Sequence, residues 1–273
     1  MSKKVGVICA IVVVALAVLF VINLRGSEPF QSLLFESYFL FSLQGLRNET
    51  VPRIIYVAWL SDTEMSSNRK DSLAKLRSSA EVPVRLLLKE NWKDVEVPSH
   101  PFHPSYHHLS DTMKSDYLRA YLMHFHGGAY ADLKPFERRS WRGAFDDLER
   151  STAYGNGVPE RAGWAVVPPD FGIAKTLKIK LDAQRLLITN CAFIFRAQTP
   201  FTFAWLSAQE RRLDAHAAVL QSTPRRGPRD SHPLRWEELQ GEIFHPLVHE
   251  AQLISAGRAF LRTVPKFSTS NYL

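Results

Sequence analysis

The chain has 273 residues, 45% hydrophobic and 22% charged, which is typical of a globular protein with one large or two small domains. Its net charge is +7, but three of the 34 basic residues flank the first apolar segment, which leaves 31 basic against 27 acidic residues elsewhere. That excess is too small to indicate a nucleic-acid partner, although it would suit a site that binds a diphosphate. The two cysteines, Cys9 and Cys191, lie too far apart in the chain to indicate a disulfide framework.

The first notable segment is an uncharged apolar run at 5–23. As a helix it would span roughly 28 Å, close to the hydrocarbon core of a bilayer, about 30 Å. A cleaved signal peptide is the alternative, but its apolar core is usually about 7–15 residues long and ends at a small-x-small site. This run is longer and ends in large residues. We therefore predict an uncleaved transmembrane anchor at 5–24, preceded by a cytoplasmic tail at 1–4.

The positive charges around the anchor predict its orientation. Two lysines precede it and one arginine follows closely, so the N-terminus should stay in the cytoplasm while the rest of the chain is translocated. Residues 25–50 would form a stem, which contains the sequon Asn48-Glu49-Thr50. We expect a single-pass type II protein of the Golgi or ER membrane with a luminal domain at 51–273. A bacterial inner-membrane protein is the alternative.

The region after the stem begins with a strand, a helix and a second strand. Residues 53–60 are rich in β-branched and aromatic side chains, as buried strands are. Residues 66–79 predict a surface helix, and 82–88 predict the second strand. This order is typical of the start of a parallel α/β sheet.

A longer helix follows a His- and Pro-rich loop at 99–108. Ser110 or Asp111 would cap this helix, which has one apolar face and ends at the two glycines 127–128. Residues 129–131 would then form a short strand.

Beyond this point the pattern predicts a strand at 188–196, a helix at 200–221 and a Pro- and Arg-rich loop at 224–235. The Gly-Asn-Gly sequence at 155–157 is interpreted as a turn, and it lacks the rest of any phosphate-binding fingerprint. No internal repeat is visible.

The stretch 114–134 combines residue types that are typical of a ligand site. Asp116 and Arg119 are three positions apart and therefore project from one helix face. Asp132 follows the short strand at its carboxyl end, the edge at which open α/β sheets bind ligands. An ordinary ion pair and a turn aspartate would explain these residues one by one. Taken together, they predict that two carboxylates and a guanidinium meet in one cleft.

This stretch reads Ser-Asp-x-x-Arg at 115–119 and Gly-Gly-x-Tyr-x-Asp-x-Lys at 127–134. It resembles the sugar-binding region of glycosyltransferase family 32, which includes the yeast initiating α-1,6-mannosyltransferase, and is similar to the same region of capsular polysaccharide synthesis proteins. The opening Pro-Arg-Ile-Ile-Tyr at 52–56 resembles the family's first strand. The resemblance covers about residues 52–136 and is looser beyond them.

The resemblance implies a GT-A fold, an α/β Rossmann-type domain that binds a nucleotide-sugar. The implied activity is transfer of a hexose to a glycan or glycolipid acceptor, with retention of configuration. The residues it implies for donor-sugar binding are Asp116, Arg119, Gly128, Asp132 and Asn190.

The resemblance also implies a nucleotide pocket and a metal. The pocket would start at the first strand, with Tyr56 and Trp59. Asp132 would be the first acid of the family's D-x-D motif, which binds the sugar and a divalent Mn²⁺ or Mg²⁺ ion on the diphosphate.

Here the chain departs from the family pattern, because the second acid of the motif is replaced by Lys134. A hard cation needs oxygen ligands, and an ammonium group supplies none. Either Asp132 holds the metal together with waters, the diphosphate and a downstream ligand such as His245, or Lys134 itself neutralises the diphosphate. We expect the first arrangement, with Lys134 pointing into solvent beside Pro135.

Two functions of other classes remain open. A membrane-anchored pseudoenzyme or sugar-binding partner subunit is favoured by Lys134. A metal-dependent hydrolase could be built on the six histidines within 100–126, but no cysteine lies near them to complete a typical zinc site.

Overall fold

The computed structural model describes residues 46, 50–223 and 233–270. The predicted anchor at 5–24 and almost all of the stem lie outside the described residues. Within the described ranges, no helix is both long and apolar enough to cross a membrane.

The described chain folds as a mixed α/β structure around a single sheet. The strands are β1 (Ile55–Trp59), β2 (Val84–Leu88), β3 (Gly128–Ala131), β4 (Gly155–Pro159), β5 (Ile188–Phe195) and β6 (Phe260–Leu261). The α-helices are α1 (Ser67–Ser79), α2 (Asp111–Phe125), α3 (Arg142–Arg150), α4 (Ile173–Leu186), α5 (Pro200–Ser222) and α6 (Gly241–Ile254). Short 3₁₀ turns occupy Trp92–Val95 and Pro104–His108.

The strand order across the sheet is β2-β1-β3-β5-β4-β6. Strands β1, β2 and β3 are parallel, β5 runs antiparallel to both of its neighbours, and β6 is parallel to β4. The predicted parallel start is confirmed, and the whole is compatible with a Rossmann-like fold. Because β5 alone is reversed, its amino end lies at the same edge as the carboxyl ends of β1, β3 and β4.

Helices cover both faces of the sheet. Because successive side chains of a strand point to opposite faces, each face presents its own set of side chains to the helices. On one face, α1 and α3 pack on small and aliphatic strand residues such as Ile55, Ala129 and Ile194. The other face is aromatic: Phe193 and Phe195 meet Trp205 of α5 and Phe244 of α6. The predicted strands and helices are confirmed to within two residues at nearly every boundary.

The predicted turn at 155–157 is wrong, because these residues form most of β4. A Cβ atom on Gly155 would lie 2.7 Å from the Phe195 ring, and one on Gly157 would lie 2.8 Å from Cβ of Ile188. The glycines therefore allow β4 to pair closely with β5. Asn156 between them is buried, and its amide donates to the Ala144 carbonyl at 2.9 Å. Gly-Asn-Gly is here a close-packed strand.

Candidate functional site

A cavity of about 880 Å³ opens at the edge where β1, β3 and β4 end and β5 begins. Its volume lies within the range typical of small-molecule sites. The walls come from the strand ends, from the first turns of α2, and from the segments that precede α6 and follow β6. The polar and aromatic side chains that line it include Trp59, Arg69, Asp116, Arg119, Asp132, Lys134, Glu160, Arg161, Trp164, Asn190, Cys191, Trp236, Glu237, Gln240, His245, Lys266 and Phe267.

Arg119 and Asp132 form the centre of this site. Nη2 of Arg119 donates to Oδ1 of Asp132 at 2.9 Å, and Nη1 donates to the Asn190 carbonyl at 2.9 Å. The guanidinium also stacks 4.8 Å from the Tyr130 ring centroid. Helix α2 supplies the arginine, and the end of β3 supplies the aspartate, so the predicted convergence of the two elements is confirmed.

Asp116 lies on the same side of α2, with Oδ1 3.3 Å from Nη1 of Arg119. Burial raises the pKa of Asp116 to about 7, although the nearby guanidinium acts in the opposite direction. Burial prevails, and the neighbouring carboxylates of Glu237 and Asp132 raise the pKa of Asp116 further. At neutral pH Asp116 is therefore only partly ionised, whereas Asp132 carries a full charge.

Lys134 does not point into solvent, and our expectation on this point was wrong. The Lys134 amide donates to the Asp132 carbonyl at 2.8 Å, and this tight turn brings the side chain back toward the cavity. Its Nζ lies 2.9 Å from Oδ2 of Asp132 and donates to Sγ of Cys191 at 2.8 Å. Only 9% of the residue is exposed.

The charges in this cluster stabilise one another. Burial alone would raise the pKa of Asp132, but the cations Arg119 and Lys134 outweigh it and lower that pKa to about 2. Burial would lower the pKa of Lys134, yet the carboxylate of Asp132 reverses the shift and raises it. Burial raises the pKa of the Cys191 thiol to about 11. At neutral pH the lysine is charged and the cysteine is a thiol.

The other residues expected to bind the donor lie at different depths. Asn190 lines the cavity at the start of β5, and its side-chain Oδ1 is 3.3 Å from Sγ of Cys191. Gly128 is buried in β3, where its φ of +88° and the lack of space for a side chain give it a structural role: a Cβ atom there would lie 3.0 Å from Pro52 and Ile54. It positions Asp132 without lining the cavity itself.

The structure separates the two residues expected to bind the nucleotide. Trp59 lines the cavity, its Nε1 donates to the Thr63 carbonyl at 2.9 Å, and Arg69 stacks 4.9 Å from its ring. Tyr56 points away from the cavity lining and lies 6.4 Å from the His126 ring on the other side of β1. Successive residues of a strand face opposite sides of the sheet. Because Tyr56 and Trp59 are three positions apart, their side chains face different sides.

His245 lines the same cavity but is engaged by protein groups. Its Nδ1 accepts the Val166 N–H at 2.9 Å, so the ring proton lies on Nε2, which is 3.2 Å from Oε2 of Glu160. A protonated nitrogen offers no lone pair to a metal. Nε2 is buried and makes no hydrogen bond among the described residues, so Glu160 is a neighbouring carboxylate and not a hydrogen-bond partner.

The residues present do not fit the divalent metal that the family resemblance implies. Both oxygens of Asp132 already contact cations, one from Arg119 and one from Lys134. Among the described residues, no three His, Cys, Asp or Glu side chains are grouped so that they could hold a metal ion. We therefore derive no chemical step through a metal.

Several of the six histidines of the 100–126 region have separate polar partners outside that region. His100 contacts Glu210 at 2.8 Å, His103 contacts Asp214 at 3.0 Å, and His126 contacts the Val95 carbonyl at 2.8 Å. These contacts tie loops to α2 and α5, and they favour a structural role over a zinc-dependent hydrolase.

Sequence reasoning missed several residues of the cavity, most notably Glu237. This carboxylate lies in the turn before α6, accepts the Gly241 N–H, and has a pKa raised by burial. Lys266 and Phe267 come from the segment after β6, which pairs with 135–137 beside Lys134. No local motif marks these positions, because only the fold brings them to the cavity.

Comparison with known proteins supplies no family assignment: no protein-family model matches the chain, and no curated protein is significantly similar to it.

Proposed function

We propose that this chain is a glycosyltransferase with a GT-A-like domain, which transfers a hexose from a nucleotide-sugar to a glycan or glycolipid acceptor. The observation that carries the proposal is the meeting of Asp116, Arg119 and Asp132 in a cavity at the carboxyl edge of the parallel strands. That edge is where open α/β sheets bind nucleotides and sugars. Retention of configuration rests on the family resemblance alone.

The proposed donor-sugar subsite is the wall formed by these three residues. A carboxylate has about four lone-pair sites, so Asp132 can accept sugar hydroxyls in addition to its two cationic partners. The pair with Arg119 holds the carboxylate in one orientation before the ligand arrives, which is what precise positioning of a reacting sugar requires.

The proposed nucleotide and acceptor subsites are aromatic. Trp59 at the end of β1 offers a ring for the nucleotide. Trp164 and Trp236 also line the cavity and are 53% and 37% exposed, as side chains that stack on a sugar ring must be. The carboxylate of Glu237 lines the same cavity and can accept sugar hydroxyls.

The test is a donor panel. The full-length protein is incubated with UDP- and GDP-linked hexoses, and release of nucleoside diphosphate is measured without an acceptor. We expect slow hydrolysis of one donor by the wild type and loss of about 10²-fold or more in Asp132→Asn, because a preorganised charge in the site is removed. Asp147→Asn, which alters only an exposed surface ion pair, is the matched control. If no donor binds or is hydrolysed, the proposal is rejected.

A sugar-binding partner subunit of the same fold is the second candidate. The presence of Lys134 where the family has an acid favours it. This function predicts binding of a nucleotide-sugar, detected by thermal shift, with no turnover in the panel above.

A further inference from the structure

The most unusual feature of the cavity is a lysine held rigidly where the related motif has a metal-binding acid. Lys134 contacts Asp132 at 2.9 Å and Cys191 at 2.8 Å, and its Nζ lies 4.9 Å from the Phe267 ring centroid. A flexible surface lysine would lose considerable rotamer entropy on binding a ligand. Here the fold has already ordered the side chain.

The charge balance around this lysine is as important as its position. Arg119 and Lys134 are cations, Asp132 is ionised, and burial raises the pKa of Asp116 and of Glu237, which favours their neutral forms. Counted fully ionised, the side chains that line the cavity comprise five cations and five carboxylates. An acid in place of Lys134 would change that balance to four cations against six carboxylates and create a demand for a cation. With lysine at this position, the carboxylates are neutralised by side chains without a metal.

A second lysine, next to Phe267 in the chain, also lines the cavity. This residue, Lys266, is exposed. Its backbone carbonyl accepts the Glu137 N–H at 2.9 Å, and the Ser268 N–H donates to the Pro135 carbonyl at 2.8 Å. These two bonds fix the segment that carries Lys266 alongside the residues that follow Lys134.

We propose that Lys134 takes the place of the divalent metal in this site, so that its ammonium group and that of Lys266 bind the diphosphate of the nucleotide-sugar directly. This inference rests on the proposed function and specifies how its donor is held. Electrostatic stabilisation of the leaving diphosphate would then come from side chains that are already in position when the donor binds.

The experiment measures the affinity of the full-length protein for UDP, GDP and ADP by isothermal titration calorimetry, once in EDTA and once with Mn²⁺. We expect one nucleoside diphosphate to bind with the same Kd, within about twofold, in both conditions. Binding that appears only with Mn²⁺ overturns this inference but leaves the proposed function standing. If no nucleoside diphosphate binds in either condition, both are overturned.

Variants test the role of the lysine itself. Lys134→Gln should raise the Kd about tenfold or more, because a charge-assisted contact to phosphate is lost, and Mn²⁺ should not restore it. Lys134→Arg should stay within about threefold of the wild type. Lys75→Gln, an exposed lysine of α1 away from the cavity, should change nothing. An unchanged Kd in folded Lys134→Gln overturns the inference.

If Lys134→Gln does not fold, Lys266→Gln still tests the proposal. Circular dichroism shows whether each variant is folded, and Lys266→Gln alters an exposed residue that the core does not need. We expect its Kd to rise severalfold in EDTA. If the wild type binds without a metal and Lys266→Gln binds equally tightly, the assignment of the diphosphate to this end of the cavity is contradicted.

Discussion

Asp132 lies between two largely buried cations, and this position decides what its replacement will do. The sequence suggests a ligand-binding residue at a strand end whose change to alanine leaves the fold intact. In the structure Asp132→Ala would leave Arg119 and Lys134 without their shared counter-ion. Removing one partner from a buried ionic cluster is strongly destabilising.

We therefore predict that Asp132→Ala lowers the free energy of unfolding by about 2–4 kcal/mol, measured by urea denaturation. Asp132→Asn, which keeps a carbonyl oxygen as an acceptor, should lose less. The exposed pair of Asp147 and Arg150 supplies the control, since Asp147→Ala should cost no more than about 1 kcal/mol. Wild-type stability in Asp132→Ala would show that the cluster is not a stabilising unit.

Gly241 offers a way to move Glu237 without replacing it. A Cβ atom at position 241 would lie 2.5 Å from Oε2 of Glu237 and 2.9 Å from Cβ of Val166. Gly241→Ala should displace the carboxylate and reduce donor hydrolysis by about tenfold, because misplacing a positioned group is costly for catalysis. The matched control is Gly143→Ala, also in the first turn of a helix, where nothing lies within 4 Å of the new methyl group. Equal hydrolysis rates in both variants would show that Glu237 does not take part in donor hydrolysis.

At the scale of the elements, the pairing of β3 with β1 positions the site. Gly128 approaches carbonyl oxygens of Pro52 and Ile54 so closely that an added Cβ would lie 3.0 Å from each. Its φ of +88° is also outside the region that other residues readily adopt. The glycine thus lets β3 lie beside β1 and deliver Asp132 to the cavity.

Gly128→Ala should destabilise the fold by about 2–3 kcal/mol, from backbone strain together with steric contact. Gly163→Ala separates the two causes, because Gly163 has a φ of +80° but nothing within 4 Å of its Cβ position. It should cost only about 1 kcal/mol. Urea denaturation of both variants measures the difference, and equal losses would mean that close packing at Gly128 contributes nothing.

At the scale of the whole molecule, the predicted topology has a direct test. The anchor prediction at 5–24 and its flanking charges imply that 51–273 is translocated. In microsomes, added protease should leave this domain intact until detergent is supplied, and Asn48 should carry a glycan. Digestion of the domain in sealed vesicles would reject the type II orientation. Asn48→Gln should abolish any mobility shift caused by the glycan.

The sequence by itself determined the elements that depend on local patterns. Periodicity and caps identified β1, α1, β2, α2, β3, β5 and α5, and the spacing of Asp116, Arg119 and Asp132 indicated that they meet. These features are readable because helix faces, strand alternation and chain direction follow from neighbouring residues alone. The predicted parallel start of the sheet follows from the same order of elements.

Only the tertiary structure decided the rest. Gly-Asn-Gly at 155–157 is a strand because β5 packs closely against it, although the same residues are typical of turns. Lys134 faces the cavity because β5 presents Cys191 across from it, and Glu237, Lys266 and Phe267 reach the site from distant segments. Long-range contacts such as these set the charge of the cluster. Local sequence carries no signal for them, because each side chain's environment is made by segments far from it in the chain.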